Sequence, residues 1–252
     1  MEITFGVFAV ASLAVILLGL GKSGLSGVGA LAVPLMASVM SPLQAAAITL
    51  PILVVQDWVG VYAFRHEINR RILAILLPAA LGGIVAAYFL AARVSEDVVR
   101  LALGFVSIGF VGVTLWRNRK DDAPPTRADV APGLFWGAVS GFVSFVSHSG
   151  GPPFLIYVLP QRLPPASFAG TSALFFALVN LMKVPPYLWL GQFTRAGFRV
   201  SLMLLPVAVV ATLAGVWIVR RVPQDKFYAI VLVATTGLGG KLIFDAVRAL
   251  WG

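Results

Sequence analysis

The chain has 252 residues, of which 59% are hydrophobic and 12% are charged, with a formal net charge of +9 and a mean hydropathy of +0.94. Soluble domains carry roughly a quarter charged residues, so this composition excludes an ordinary soluble protein. The positive charges lie in short segments between apolar stretches, which is typical of cytoplasmic loops and argues against a nucleic-acid partner. The absence of cysteine excludes disulfides and thiolate chemistry.

Long stretches contain no Asp, Glu, Lys or Arg, among them residues 23–56, 72–92, 101–116, 130–161 and 200–219. A helix of about 20 apolar residues spans the hydrocarbon core, and it satisfies all its own backbone hydrogen bonds there. The predicted fold class is therefore all-α, a polytopic helical membrane protein. The first apolar stretch has Glu2 and no basic residue before it, so we interpret it as a membrane helix and not as a cleaved signal peptide.

In chain order, the pattern begins with a long apolar region (3–40) that is interrupted by GKSGLSGVGALAVP at residues 21–34. Three helices are predicted to follow, over 43–64, 71–92 and 96–116. After the charged, proline-rich segment RNRKDDAPPTRADVAP, a second apolar region (132–160) is interrupted by FVSHSGGPPF at residues 145–154. Three further helices are predicted over 166–190, 199–221 and 225–248, so the second half has the same order of elements as the first.

Sequence matches between the two halves indicate a duplication. Residues 93–97 (RVSED) match residues 221–225 (RVPQD), and Thr49 and Pro42 match Thr171 and Pro164 at a slightly shorter offset. We therefore predict a first transmembrane repeat over 1–118, a charged linker over 119–131 and a second transmembrane repeat over 132–252.

The interrupted regions leave two topologies open. If each crosses the membrane once, the halves have four spans each and are parallel. If each crosses twice, the halves have five spans each and are inverted. The division of the loop lysines and arginines between the two sides of the membrane is the same in both topologies, so it does not distinguish them. The length of residues 3–40 and the matching interruptions favour the inverted 5+5 repeat, since broken helices at corresponding places are typical of inverted-repeat transporters.

The glycines of the two interruptions differ in their surroundings from the other glycines of the apolar stretches. Gly82, Gly83, Gly104, Gly109 and Gly112 are interpreted as close helix packing. The two interruptions instead combine glycine with serine, a lysine, a histidine and a proline pair. Non-helical backbone at membrane depth is tolerated only where protein buries it or a watery cavity lines it. Each is followed by an apolar run whose first amides could receive an anion. Structural hairpin turns are the alternative.

The segment GLSGVGALAVP after the first apolar helix, its counterpart SHSGGPPF and the duplicated length resemble the TauE/SafE-type sulfite exporter family. The resemblance covers the whole chain. It implies a multi-pass protein of the bacterial inner membrane, a secondary transporter that exports sulfite, organosulfonates or related small sulfur-containing anions by alternating access. The Lys-Ser-Gly and His-Ser-Gly-Gly sequences depart from the commoner, more glycine-rich pattern. The resemblance implies no cofactor.

The polar residues of the interruptions and of the apolar helices form the predicted substrate site: Lys22, Ser23, Gly24, Ser26, Gly27, Thr49, Gln56, Ser147, His148, Ser149, Gly150, Thr171, Asn180 and Lys183. Asp57 needs a partner or a proton inside the membrane, because an isolated buried carboxylate is costly. Its candidate partners are Lys22 and Lys183, and both Asp57 and His148 are candidates for proton coupling or a structural ion pair. Lys22 could alternatively extend to a lipid headgroup.

Other functions were weighed against transport. An enzyme is not expected, because the chain has two histidines, His66 and His148, and no cluster of metal ligands. A channel, or a transporter for another small anion or metabolite, is the closer alternative. The expected partners are a small anion and the lipid bilayer, with proton coupling and a homo-oligomer left open.

Overall fold

A computed structural model of the chain describes residues 5–22, 32–37, 39–40, 42–90, 125–148, 150–191 and 193–251, together with residues 98, 101, 104–105, 108–109, 111–112 and 115. The chain forms two compact units. Unit 1 contains residues 1–69 and 165–227, and unit 2 contains residues 70–164 and 228–252. Each unit thus draws segments from both halves of the sequence, while the repeat boundaries 1–118, 119–131 and 132–252 stay a prediction.

The regular structure of the described residues is helical. The helices are α1 (Phe5–Lys22), α2 (Ala32–Ala37), α3 (Pro42–Ala63), α4 (Arg70–Leu90), α5 (Val130–Ser147), α6 (Gly151–Val158), α7 (Pro165–Trp189), α8 (Arg195–Val219) and α9 (Gln224–Trp251), with a 3-10 turn at Leu159–Gln161. Helices α4, α7, α8 and α9 contain apolar segments long enough to cross a membrane, and α1, α3 and α5 contain shorter ones. This confirms the predicted polytopic helical membrane protein.

The ends of the helices predicted over 43–64, 71–92, 166–190, 199–221 and 225–248 lie within a few residues of the observed ones, with one informative exception. The ends of the helix predicted over 96–116 lie outside the described residues. Helix α8 begins at Arg195, four positions before the predicted start at residue 199. The Thr194 hydroxyl accepts a hydrogen bond from the Gly197 amide at 3.1 Å, which caps the helix before its apolar stretch begins. The first turn of α8 carries Arg195 and Arg199, which are exposed, so hydropathy alone places the helix start too late.

In unit 1, helices α1, α2, α3 and α8 share a core of small and aliphatic side chains. Gly19 of α1 packs against Ala211 of α8 so closely that an added Cβ would lie 2.7 Å from the Ala211 Cβ. Further along, the Gln56 side chain of α3 reaches the Val15 carbonyl of α1 and the Ala208 carbonyl of α8. The Ser201 hydroxyl of α8 also donates to the Ile48 carbonyl of α3 at 2.7 Å, so residue numbers along α3 and α8 rise together. Those along α1 and α8 rise together as well, so α1, α3 and α8 run in the same direction.

Helix α7 runs in the opposite direction against α3. A Cβ on Gly60 would lie 3.2 Å from the Ala173 Cβ, and a Cβ on Gly170 would lie 2.8 Å from the Phe64 carbonyl oxygen. Residue numbers along α3 therefore rise as those along α7 fall. The C-terminal end of α3 is also tied to the end of α8, since the Arg220 guanidinium donates to the Ala63 carbonyl at 2.7 Å.

In unit 2, glycines bring α4 and α5 into close contact. There is no room for a side chain at Gly83, where an added Cβ would lie 2.8 Å from the Ala138 carbonyl carbon. The same holds at Gly137, where an added Cβ would lie 2.8 Å from the Leu76 carbonyl oxygen. The packing interpretation is therefore correct for Gly83. It is wrong for Gly82, which is exposed and has no described heavy atom within 4 Å of an added Cβ.

The interruption in the second half turns the chain back on itself. Helix α5 ends at Ser147, His148 has a left-handed backbone (φ 53°), and α6 begins at Gly151 with Pro152 and Pro153 in its first turn. A proline pair lacks two helical donors and suits a first turn, which is why the new helix starts there.

The returning segment then runs antiparallel to α5. The Gly150 carbonyl accepts from the Ser140 hydroxyl at 2.7 Å, near the end of α5. The Tyr157 hydroxyl donates to the Asp129 carbonyl at 3.0 Å, at the start of α5. Pro160 accepts from the Thr126 amide at 3.1 Å. In the second half, the interrupted region therefore forms a helical hairpin.

Candidate functional site

Unit 1 contains a group of charged side chains in its interior. Asp57 of α3 and Lys183 of α7 are fully buried, and the Lys22 side chain at the end of α1 is 14% exposed. The Lys22 ammonium lies 2.7 Å from Asp57 Oδ1. A buried carboxylate requires a partner of this kind, because its desolvation is otherwise uncompensated.

Helix α7 supplies the other side of the group. The Asn180 amide donates to Asp57 Oδ2 at 2.5 Å, so the two carboxylate oxygens are held from different helices. Lys183 follows Asn180 by three residues, which places both on one face of α7. It interacts electrostatically with both Lys22 and Asp57. The structure therefore brings together four residues of the predicted site, namely Lys22, Asp57, Asn180 and Lys183, which we call the charged cluster.

An aromatic ring completes the surroundings of Lys22. The ammonium lies 5.0 Å from the centre of the Phe176 ring, within the range of a cation–π interaction. Phe176 was not among the predicted site residues, because aromatic residues are common in apolar helices. Helical spacing could have indicated its place near the site. Phe176, Asn180 and Lys183 are four and three residues apart and therefore share one face of α7.

The charged cluster contains more basic than acidic groups. It contains two lysines and one carboxylate, and the Lys22–Asp57 pair accounts for one of each. In a water-poor interior this imbalance is far stronger than it would be in water. The arrangement can attract and hold a small anion, with ammonium and amide groups as hydrogen-bond donors.

Gln56, the neighbour of Asp57, connects three helices. Its amide nitrogen donates to the Val15 carbonyl at 3.1 Å and to the Ala208 carbonyl at 3.3 Å. Its Oε1 atom is buried and has no hydrogen-bond partner among the described residues. Gln56 thus acts as a cross-link between α1, α3 and α8, and it presents one unused acceptor in the interior of unit 1.

The two predicted threonines lie away from the charged cluster. Thr49 donates to the Ala45 carbonyl at 2.5 Å within its own helix. Thr171 accepts from the Asn69 amide at 2.9 Å, at the loop that follows α3. Eight residues of helix separate Thr49 from Asp57, and nine separate Thr171 from Asn180, or about 12 and 13 Å along the axes. Because α3 and α7 are antiparallel, the two threonines lie towards opposite ends of the pair.

The second-half interruption belongs to unit 2. His148 is partly buried, and Gly150 is packed against α5, where a Cβ would lie 2.9 Å from the Ser144 Cβ. Ser147 is the last residue of α5, and its side chain lies outside the described part of the structure. Ser23, Gly24, Ser26, Gly27 and Ser149 also lie outside the described residues. Ser140, which sequence analysis missed, holds the interruption through its bond to Gly150.

No group of three or more His, Asp or Glu side chains that could hold a metal ion occurs among the described residues. No curated protein and no solved structure matches the chain significantly. The family model of the sulfite exporter TauE/SafE matches residues 8–242, which is nearly the whole chain. A match of this extent, on a polytopic helical protein, means that the chain belongs to the sulfite exporter TauE/SafE family and is a membrane transporter of sulfite or related anions.

Proposed function

We propose that this protein is a secondary transporter that exports a small sulfur-containing anion, such as sulfite or an organosulfonate, across the bacterial inner membrane by alternating access. The anion binds at the charged cluster of unit 1. The observation that carries this proposal is the excess lysine: α1, α3 and α7 bring two lysines and one aspartate together in an apolar interior. A purely structural ion pair would need one lysine.

Lys22 is placed to exchange partners. It is the last residue of α1, it contacts both Asp57 and Phe176, and its side chain is partly exposed where that of Asp57 is not. An arriving oxyanion would accept hydrogen bonds from the Lys22 ammonium while Asn180 keeps its bond to the carboxylate. The hydrogen bonds between the anion and the ammonium then compensate both groups for their lost hydration. Binding in a site with little water requires this compensation.

We propose that the second-half interruption, in unit 2, also contacts the anion. Helix α6 begins beside His148 and Gly150, and the first amides of a helix favour negative charge. Its serines and the imidazole would add donors along the path of the anion. The corresponding first-half role of Ser23, Gly24, Ser26 and Gly27 is proposed from the sequence alone.

Lys183→Met tests the proposed site. Methionine keeps most of the side-chain volume and removes the excess charge, so we expect sulfite transport in proteoliposomes to fall at least about tenfold. Removing a buried charge while Lys22–Asp57 stays intact should leave the melting temperature in detergent unchanged or higher. This combination of lost transport and retained stability is typical of a functional charge.

Lys241→Met is the matched control. Lys241 also lies in an apolar helix and is paired at 2.7 Å with Asp245, but it belongs to α9 in unit 2 and is partly exposed. We expect its substitution to leave transport within about twofold of the unmodified protein. Equal transport by the Lys183→Met variant and the unmodified protein would remove the charged cluster from the transport site.

A further inference from the structure

We infer that the charged cluster selects anions by valence: it is matched to one negative charge and discriminates against dianions, and Asp57 sets this preference. The inference rests on the proposed function, since it concerns the same site. The substrate class that follows is a monoanion, such as hydrogensulfite or a sulfonate with a single ionised group.

The sequence of the three helices limits the charge at this site. Helix α1 carries Lys22 as its one charged residue, α3 carries Asp57, and α7 carries Lys183. The stretch from residue 23 to residue 56 contains no charged residue, so it cannot alter the balance. With both lysines protonated, two ammonium groups and one carboxylate sum to a single positive charge.

Because the cluster is buried, its net charge determines which anion valence it binds. Asp57 and Lys183 are fully buried, and Lys22 is nearly so, so water screens their charges poorly. A bound monoanion brings the protonated cluster to neutrality. A dianion leaves one negative charge uncompensated in a low-dielectric environment, and such a charge is strongly disfavoured.

The position of Asp57 explains why a carboxylate is present in an anion site at all. It lies 2.7 Å from Lys22 and is fixed by Asn180, so it stays within the cluster and cannot turn away to solvent. Its charge cancels one of the two lysines. Asp57 is therefore a specificity-determining residue, and its effect should depend on its charge and not on its shape.

Binding of methanesulfonate and of sulfate to the purified protein, measured by calorimetry, tests the inference. Both ions are tetrahedral at sulfur and close in size, and they carry one and two negative charges near neutral pH. We expect the unmodified protein to bind methanesulfonate at least about tenfold more tightly than sulfate. In Asp57→Asn, which keeps the shape and removes one negative charge from the site, the preference should shift towards sulfate at least about tenfold.

Asp245→Asn is the control, because it changes the net charge of the protein by the same amount but lies outside the cluster, beside Lys241. Its methanesulfonate-to-sulfate ratio should equal that of the unmodified protein. Equal shifts in Asp57→Asn and Asp245→Asn, or no shift in Asp57→Asn, would overturn the inference.

Sulfite gives a test without any substitution. Raising the pH through neutrality converts hydrogensulfite to the dianion, so the apparent affinity for total sulfite should fall. Methanesulfonate keeps its charge over this range and reports any titration of the protein itself. A constant affinity for sulfite would contradict valence selection while leaving transport intact. Failure of every anion to bind or to be transported would instead refute the proposed function.

Discussion

At Asp57, the need for a partner followed from the sequence, but the partner itself did not. Both Lys22 and Lys183 were candidates, because each lies beside or within a long apolar stretch. The structure places the Lys22 ammonium 2.7 Å from the carboxylate and adds Asn180, which is 123 positions away in sequence. Contacts between helices so distant in the chain depend on how those helices pack, and no local pattern encodes them.

The ion pair between Lys22 and Asp57 leads to a prediction about stability. In Lys22→Ala the Asp57 carboxylate remains buried without its ammonium partner, so the free energy of unfolding should fall by about 3–5 kcal/mol. The double variant Lys22→Ala/Asp57→Asn removes the orphaned charge and should recover most of this loss. Unfolding in detergent with increasing denaturant measures both. Equal destabilisation of the single and double variants would show that the ion pair is not the cause.

At the level of helices, close packing explains only part of the glycine content. Gly82 and Gly83 are adjacent in α4, yet only Gly83 faces α5. Both were predicted to pack, because neither periodicity nor hydropathy distinguishes two neighbouring glycines in a uniformly apolar helix. The neighbouring helix decides, through the position of the Ala138 carbonyl.

This contrast predicts opposite effects of the same substitution. Gly83→Ala forces a methyl group against the α5 backbone and should destabilise the protein by about 1–3 kcal/mol. Gly82→Ala meets open space and replaces glycine with a better helix former, so it should be neutral or stabilising by up to about 1 kcal/mol. Melting temperatures of the two purified variants provide the comparison. A Gly82→Ala variant as unstable as Gly83→Ala would refute the proposed contact.

For the whole molecule, we propose the inverted 5+5 layout in preference to the parallel 4+4 layout. Three directions within unit 1 support it: α1 runs with α3, α8 runs with α3, and α7 runs against α3. Helices α3 and α7 occupy equivalent places in the two predicted repeats, so parallel halves would orient them alike. The α5–α6 hairpin adds a return segment that a single crossing per interrupted region would lack.

Cysteine labelling tests this layout, since the chain has no cysteine of its own. Single cysteines at His66, Pro223 and Arg195 lie at ends of helices in unit 1. The inverted layout predicts that the first two react from one side of the membrane and the third from the other. The parallel layout predicts that His66→Cys and Arg195→Cys react from the same side. Labelling of intact and permeabilised cells with an impermeant reagent distinguishes these outcomes.

The sequence by itself determined the membrane class, the approximate helix ends, the place of the second-half interruption and the family. These depend on runs of about 20 residues or fewer, through hydropathy and through the backbone limits of proline and glycine. Only the tertiary structure decided that Lys22, Asp57, Asn180 and Lys183 meet while Thr49 and Thr171 lie about 12 Å or more away along their helices. The reason is that helix direction and rotation, fixed by packing between distant segments, select which polar side chains share one interior.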